Sequence, residues 1–514
     1  MRFVPQNRGS RLLLYFLLGA FASLYLNSFI LPRTPIYQGD SSPIFLTEAV
    51  RMFQGQIIYR DFFELTLPGT QVAYLTLYKL FGIRSWIPSS VFVLLGVGLA
   101  WMGVAISKGI MRGKSVLLPS LLFLAFSFTS EPDPTHHWFN ALAVMGALGL
   151  LINKRTPWRL AGAGALCGLA TLFTQTKGVA AVVGLAAFLI WEVRSKGLKW
   201  RSLLKAVVCL FGSFLAITLA EIAHLIGAVG LERLTYCIGV FPLKYFSLWY
   251  WNTPRAYLSE VPNLSGILEA PALGIWLSIH ILVPLIYVLF LVRWSRVAKT
   301  HPEEPWAGLM LLSLVGLFLF LSVASSPSWL RLCSGSLPAL VVFVWFVKSS
   351  GRLSQVFMTL LWAAGISVLV AQCLIAQTDT RAYLDSRVGR LAFLEPERYE
   401  KFKWVQDHTH QDDFLFQASD SDMYYPLGLR NPTPVQFLTA SGYTRPEQVR
   451  EVVKSLERYR VRFVLWSVWL DIPRHPGFNE DNLASVRTYL DGHYHLVRNF
   501  GDPDYEQVWE RNPD

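Results

Sequence analysis

The chain has 514 residues, of which 53% are hydrophobic and only 16% charged, and its mean hydropathy is +0.37. Soluble proteins carry about 25% charged residues, so the deficit argues against an ordinary soluble globule and for a membrane chain. The net charge of +11 does not point to nucleic acid, because Lys and Arg fall in short clusters between apolar runs, with no basic stripe interleaved with aromatics.

Apolar runs near bilayer length occur at about 12–31, 86–107, 116–130, 138–153, 160–175, 179–193, 206–227, 271–292, 306–324, 332–347 and 356–377, which predicts eleven transmembrane helices. The first follows "MRFVPQNRGSR" and exceeds a signal-peptide core, so it reads as an uncleaved span. With the N-terminus inside, the inner segments carry Arg2/Arg8/Arg11, Lys108/Arg112/Lys114, Lys154/Arg155/Arg159, the 194–205 cluster, Arg293/Arg296/Lys299 and Lys348/Arg352. The short outer loops carry at most one basic residue each, as the positive-inside rule requires. An odd number of spans places the C-terminus outside.

After the first span comes "PIYQGDSSPIFLTEAVRMFQGQIIYRDFFE". Ser42 as cap and Pro43 at the first position predict a helix. Its spacing sets Phe45, Leu46, Ala49, Met52 and Phe53 on one face and Glu48, Arg51 and Gln54 on the other, the pattern of a helix lying in the membrane interface. Asp40 just precedes it. The residues leave two roles open for Asp40: complementing that helix's N-terminal dipole, or presenting a carboxylate at the mouth of a cavity between the spans.

Later outer loops hold the other candidates. "SEPDPTHHWFN" supplies Glu131, Asp133, His136 and His137, a set that matches no metal-ligand spacing and reads as a polar wall, so no metal is assigned. "FTQTKG" carries Lys177 and "SSPSWLR" carries Arg331, each the single cation of its outer loop. Snorkelling to headgroups explains either one alone; together they are two cations on the same side as two acidic loops. The small-residue stretches "GVGLAWMG" and "GAGALCG" lie inside spans and read as close helix packing rather than nucleotide binding. The five cysteines are scattered, without CxxC or Cys/His spacing, and read as small apolar residues.

The aromatic-rich segment between spans seven and eight, "GLERLTYCIGVFPLKYFSLWYWNTPRAYLSEV", reads as interfacial. From 380 onward the composition becomes that of soluble protein. "YEKFKWVQDH", "PEQVREVVKSLERY" and "NLASVRTYLD" have helical spacing, whereas "DDFLFQAS", "RVRFVLWSV" and "YHLVRNF" read as strands. The expected fold class is therefore an all-α polytopic membrane domain, 1–379, followed by an extracytoplasmic α/β domain, 380–514. Asp420 and Asp422 in "ASDSDMYYPLGL" read as an acidic loop before a helix, with no site assigned.

The order of these features resembles the polytopic GT-C glycosyltransferases of the protein-mannosyltransferase and aminoarabinose-transferase type. The resemblance covers about 10–380, and "QGDSSPIFLTEAVRMFQGQIIYRDF" and "FTQTKG" are its best motifs. It implies inverting transfer of a sugar from a polyprenyl-phosphate donor to an acceptor at the outer face of the cell membrane, without a cofactor. Asp40 matches the family's catalytic aspartate, Glu131 or Asp133 its second acidic position, and Lys177 lies where a cation would meet the lipid phosphate. At "ELTLPGT" the chain departs from the lysine-proline-proline stretch of the aminoarabinose branch.

The chemistry suits these residue types. The attacking acceptor needs a base. The leaving phosphate needs positive charge, for which Lys177 is the first choice and Arg331 and Arg60 the next. Other readings of a polytopic chain are a transporter or lipid flippase, an oligosaccharide ligase or polymerase, and a membrane scaffold.

Overall fold

The computed structural model describes residues 8–37, 42–259, 281–379, 381–471, 481–501 and 505–513. Asp40 lies outside them. The chain forms two compact units, each assembled from three separate stretches: Met1–Ser28, Ser90–Ile222 and Tyr257–Thr378 in one, and Phe29–Ser89, Ala223–Ala256 and Asp379–Asp514 in the other.

Six described helices are long and apolar enough to cross a bilayer: Ser10–Ser28, Trp86–Ser107, Gln175–Ser195, Trp200–Val229, Trp306–Val323 and Ser354–Thr378. This makes the chain a multi-pass membrane protein. The remaining expected spans are shorter or broken. His136–Leu151 has 16 residues and Pro157–Phe173 has 17. The run at 116–130 divides into a tight turn at Gly113–Val116, a helix at Leu118–Phe123 and a widened turn at Leu124–Phe128. That widening has a local cause, since both the backbone N–H and the hydroxyl of Thr129 donate to the Leu124 carbonyl, at 3.1 and 2.7 Å. The run at 332–347 is interrupted near Gly335, between the helices Trp329–Cys333 and Leu337–Lys348. Of the run at 271–292, residues up to 280 lie outside the described part, and the helix Val283–Val297 follows.

Within the first unit, small residues let helices meet backbone to backbone. A Cβ added at Gly164 would lie 2.0 Å from the Leu210 carbonyl oxygen, so only glycine permits the approach of Pro157–Phe173 to Trp200–Val229.

The second unit contains a four-stranded sheet in the order Leu415–Gln417, Phe463–Ser467, Glu506–Arg511, Tyr494–Phe500, with its first pair parallel and the others antiparallel. Alternation along the strands divides the core in two. Leu415, Phe463 and Leu465 pack with Phe402 and Val405 of the helix Pro396–His408. Phe416, Val464 and Trp466 pack with Val449, Val452 and Leu456 of the helix Pro446–Arg458. The strand Phe463–Ser467 is buried along its whole length because both of its faces are covered.

A separate hairpin, Ala382–Ser386 with Gly389–Phe393, takes up the stretch that precedes Asp40. Tyr37 N–H donates to the Ala392 carbonyl at 2.8 Å, and the Tyr37 ring packs 5.0 Å from Phe393 and 5.1 Å from Phe402.

Two expectations change here. The helix Ser42–Phe53 buries the first part of the apolar face expected in lipid, Phe45, Leu46 and Ala49, within the unit beside the helices Gly69–Phe81 and Tyr424–Leu427, while Met52 is half-buried and Phe53 exposed. Glu48 and Arg51, expected on the polar face, are buried as well, at 0% and 5% exposure. The aromatic segment before 256 likewise docks on protein. Phe241 packs 5.1 Å from Tyr443, and Trp249 packs 5.2 Å from Phe437.

Gly164→Ala is expected to lower stability by about 1–3 kcal/mol through overpacking against the Leu210 carbonyl. Thermal unfolding of the purified chain in detergent checks this, and an unchanged melting temperature would show that the two helices part without cost.

Candidate functional site

The first unit gathers most of the residues singled out in the sequence. Lys177 stands in the first turn of Gln175–Ser195, immediately after Pro157–Phe173. The turn between these helices is tight because Gly178 lies against Thr171: a Cβ there would come 2.2 Å from the Thr171 hydroxyl and 2.4 Å from its backbone nitrogen. Thr174, in extended conformation, makes the corner. This packing brings Lys177, 2% exposed, onto the 326–334 segment. Its ammonium donates to the Arg331 carbonyl at 3.0 Å and to the Ser334 hydroxyl, and it lies 3.5 Å from His137 Nδ1. All three partners are uncharged.

Arg331 is held in turn by its own loop. Its guanidinium donates to the Ser326 carbonyl at 2.7 Å and to the Ser326 hydroxyl, while the Ser328 hydroxyl accepts from its backbone N–H at 3.3 Å. The acidic loop adjoins the same segment, since the Trp329 indole donates to the Ser130 hydroxyl at 3.1 Å. Two narrow turns, Asp133 N–H to the Glu131 carbonyl at 2.7 Å and Thr135 N–H to the Asp133 carbonyl at 2.8 Å, fold the Pro-rich stretch onto itself. Asp133 is buried at 2% exposure, and Glu131 is partly exposed. The adjacent rings of His136 and His137 are tilted by 40° to each other with centroids 3.9 Å apart. Among the described residues, no three His, Cys, Asp or Glu side chains converge as a metal site would require. Lys177, Arg331 and the Glu131–Asp133 loop, separate in sequence, thus form one polar cluster.

Arg60 belongs to the second unit. It is exposed and forks onto Asp61, with Nε to Oδ1 and a terminal nitrogen to Oδ2 both at 2.9 Å. Asp61 also accepts from Ile57 N–H at 2.7 Å, and the Arg60 hydrogen bonds hold its carboxyl below the usual carboxylate range.

The second unit also holds a buried acidic network that sequence reasoning missed. Gln71 Nε2 donates to Glu48 Oε2 at 2.7 Å. Glu64 Oε1 receives three donors, the N–H groups of Leu65 and Thr66 at 2.8 and 2.7 Å and the Thr66 hydroxyl at 2.8 Å. Burial first, then the charge and hydrogen bond of Glu64, push the Glu48 carboxyl well above the carboxylate range, so Glu48 is the member that keeps a proton. Arg51 packs 4.6 Å from the Phe62 ring centroid and donates to Gln56 at 2.6 Å; burial lowers its pKa to about 10. Tyr59, fully buried at a φ of 67°, fixes this loop through its hydroxyl bond to the Thr66 carbonyl at 2.5 Å and by accepting from Arg233 at 2.7 Å. Helical spacing hides Glu48 because its partners come from other elements; the one visible hint was a second carboxylate in "ELTLPGT".

The residues that bracket Asp40 are anchored in the same unit. The Tyr37 hydroxyl donates to the Asp422 carbonyl at 3.0 Å, and the Thr47 hydroxyl to the Ser421 carbonyl at 3.1 Å. The "ASDSDM" loop therefore has a structural task, and Asp422 Oδ1 accepts from Gln417 at 2.6 Å inside it.

With this architecture in place, comparison with solved structures is decisive for the fold. ArnT from Cupriavidus metallidurans bound to undecaprenyl phosphate matches with a TM-score of 0.59 and 11% identity, over 98% of this chain and 100% of that one. The chain has the GT-C fold. The archaeal oligosaccharyltransferase AglB from Archaeoglobus fulgidus, in complex with an inhibitory peptide and a dolichol-phosphate, matches with a TM-score of 0.53 and 10% identity, over 98% of this chain and 74% of that one. No family model and no curated protein matches by sequence. At such identities the shared GT-C fold carries no side-chain role, and roles are argued from this chain's own residues.

The network around Glu48 makes stability depend on pH. Between the ordinary glutamate value of 4.5 and the raised folded value, the folded state keeps a proton that the unfolded chain has lost, so stability falls as pH rises through that window. Glu48→Gln is expected to flatten this fall. Melting temperatures of wild type and variant at about pH 5 and about pH 8 check it, and parallel losses in both would show that Glu48 does not hold the proton.

Proposed function

We propose that the chain is a glycosyltransferase that moves a hexosyl or pentosyl group from a polyprenyl-phosphate donor to an acceptor, with inversion at the anomeric carbon. The observation that carries this reading is the docking of the Lys177 ammonium on the 326–334 segment that bears Arg331, in a GT-C fold. The Lys177 ammonium spends its hydrogen bonds on neutral acceptors, so its positive charge is left for an anion. A phosphate ester leaving group is such an anion.

In the proposed step the acceptor oxygen or nitrogen attacks the anomeric carbon as the bond from that carbon to the phosphate oxygen breaks. The electron pair of the broken bond stays on the phosphate. Lys177 and Arg331 stabilise the charge that grows there, and because phosphate is a weak base no acid is needed. The acceptor's proton goes to Asp40, the role that resemblance to the family gives this residue. Glu131 and Asp133 provide the second acidic position, and Arg60 is a reserve cation whose pairing with Asp61 would have to open. No cofactor enters the scheme. The reaction is placed at the outer face of the cell's inner, or plasma, membrane, with the N-terminus cytoplasmic and residues 380–514 extracytoplasmic, as the distribution of basic residues suggests. The carrier's lipid chain remains in the bilayer throughout.

Membranes containing wild type, Asp40→Asn or Lys177→Met at matched expression test this by release of polyprenyl phosphate from a panel of lipid-linked sugars. The expected losses are about 10²–10⁴-fold for Asp40→Asn and about 10²–10³-fold for Lys177→Met. Wild-type rates in Asp40→Asn would remove that base and turn attention to Glu131 and Asp133. Movement of the lipid-linked sugar across the membrane without its consumption would replace the transferase with a flippase.

A further inference from the structure

The second unit has a cleft of about 650 Å³, within the range of small-molecule sites of about 300–1,000 Å³. It is lined by elements from two distant parts of the chain: the aromatic segment at 249–251, and, in the C-terminal region, the 395–401, 419–420, 437–441 and 467–470 stretches with Phe500, Gly501, Tyr505 and Glu506. None of these residues belongs to the chemistry proposed above.

Two kinds of surface meet in the cleft. The first is aromatic. Trp251, Trp469 and Tyr505 are 44%, 51% and 38% exposed, unusual for large rings that have a core nearby to enter. They are nonetheless well supported. Trp249 is backed by Phe437 and Tyr443 at centroid distances of 5.2 and 5.5 Å. Val468 N–H donates to the Tyr505 carbonyl at 2.8 Å, which ties the turn that bears Trp469 to the residue just before the strand Glu506–Arg511. Gly501, at a φ of 90°, lies so close under the Tyr505 ring that an added Cβ would be 2.1 Å from it.

The second surface is polar and acidic. Lys401 and Glu506 form a buried pair at 2.6 Å. Asp420 accepts from its own Ser421 N–H at 2.6 Å, and burial together with Asp422 holds its carboxyl well above the usual range. In total the lining carries four carboxyl groups, Glu395, Glu397, Asp420 and Glu506, against two cations, Arg398 and Lys401, with the hydroxyls of Ser419, Thr439, Ser441 and Ser467 among them.

Flat rings beside carboxyl and hydroxyl groups match a pyranose, which has an apolar C–H face and a rim of hydroxyls that both donate and accept. With Asp420 protonated and Glu506 paired with Lys401, Glu395 and Glu397 still outnumber Arg398, and that small acidic excess disfavours phosphate and other anions. We propose that this cleft binds a short oligosaccharide that is uncharged or bears amino groups, with Trp251 and Trp469 stacking on its sugar rings and Asp420 and Glu506 bonding its hydroxyls. Under the transferase reading, on which this last step rests, the acceptor belongs to that class of glycan.

The test is calorimetric titration of the detergent-solubilised full chain with chitotetraose, mannotetraose and a chitosan tetramer, using glucose 6-phosphate as the anionic control. Wild type is expected to bind at least one tetramer saturably, and Trp251→Ala and Trp469→Ala each to weaken it at least tenfold with unchanged melting temperature. Trp469→Phe, which keeps a stacking face, is expected to restore most of the affinity. Failure to bind any of the three, equal binding by wild type and both alanine variants, or tighter binding of glucose 6-phosphate overturns the proposal. The two readings fail separately: tetramer binding lost in the tryptophan variants supports the cleft even where no lipid-linked donor is consumed, and donor consumption without tetramer binding overturns the cleft alone.

Discussion

A charge inside a low-dielectric interior persists only where polar groups replace the water it has lost. Much of what distinguishes this chain follows from that constraint. Lys177, in the first turn of an apolar helix, is held by a carbonyl, a hydroxyl and an imidazole nitrogen from two other segments. Glu48, buried and beside the Glu64 carboxyl, is held well above the usual carboxylate range, chiefly by its burial. Lys401 and Glu506 neutralise each other directly. The Lys177 and Lys401 solutions draw on elements far apart in the chain, so each specifies a tertiary arrangement as well as tolerating one.

The same constraint accounts for the division of the chain. Helices that satisfy their own backbone can pack through small residues alone, as at Gly164, and the first unit is built in this way. The second unit has a sheet, loops and short helices whose polar backbone needs partners. It finds them across long separations: Tyr37 N–H on the Ala392 carbonyl, the Tyr425 hydroxyl on the Arg84 carbonyl at 2.5 Å, and the Tyr236 hydroxyl on Glu447 at 3.2 Å. Three stretches that periodicity treats as two loops and a tail are therefore one folded body.

Within that body, large aromatic residues serve two purposes. Phe241, Trp249 and Tyr443 cement the 231–252 segment to the C-terminal region. Trp251 and Trp469 instead keep substantial exposed area beside carboxyl groups. Composition counts both kinds alike, and the aromatic run by itself does not separate the rings that pack on protein from those that stay exposed. The difference arises only when the 437–443 stretch supplies a wall for one set and leaves the other open.

The long apolar runs, the basic clusters between them and the alternation in "RVRFVLWSV" were legible because each depends on local spacing and on a solvent, lipid or sheet core, that acts on every residue alike. Lys177 and Arg331 were legible as exceptions to the charge pattern. Their meeting was not, because it depends on Gly178 lying against Thr171 and on where the 326–334 loop returns. Helical spacing located the helix Ser42–Phe53 and misread its environment: a polar face looks the same in sequence whether it meets water or a buried Gln71. The sequence by itself determined a multi-pass chain with candidate charges in its loops, since hydropathy and charge act residue by residue. The tertiary structure alone decided which charges are buried and which partners hold them, since burial and pairing are properties of neighbours that no local pattern records.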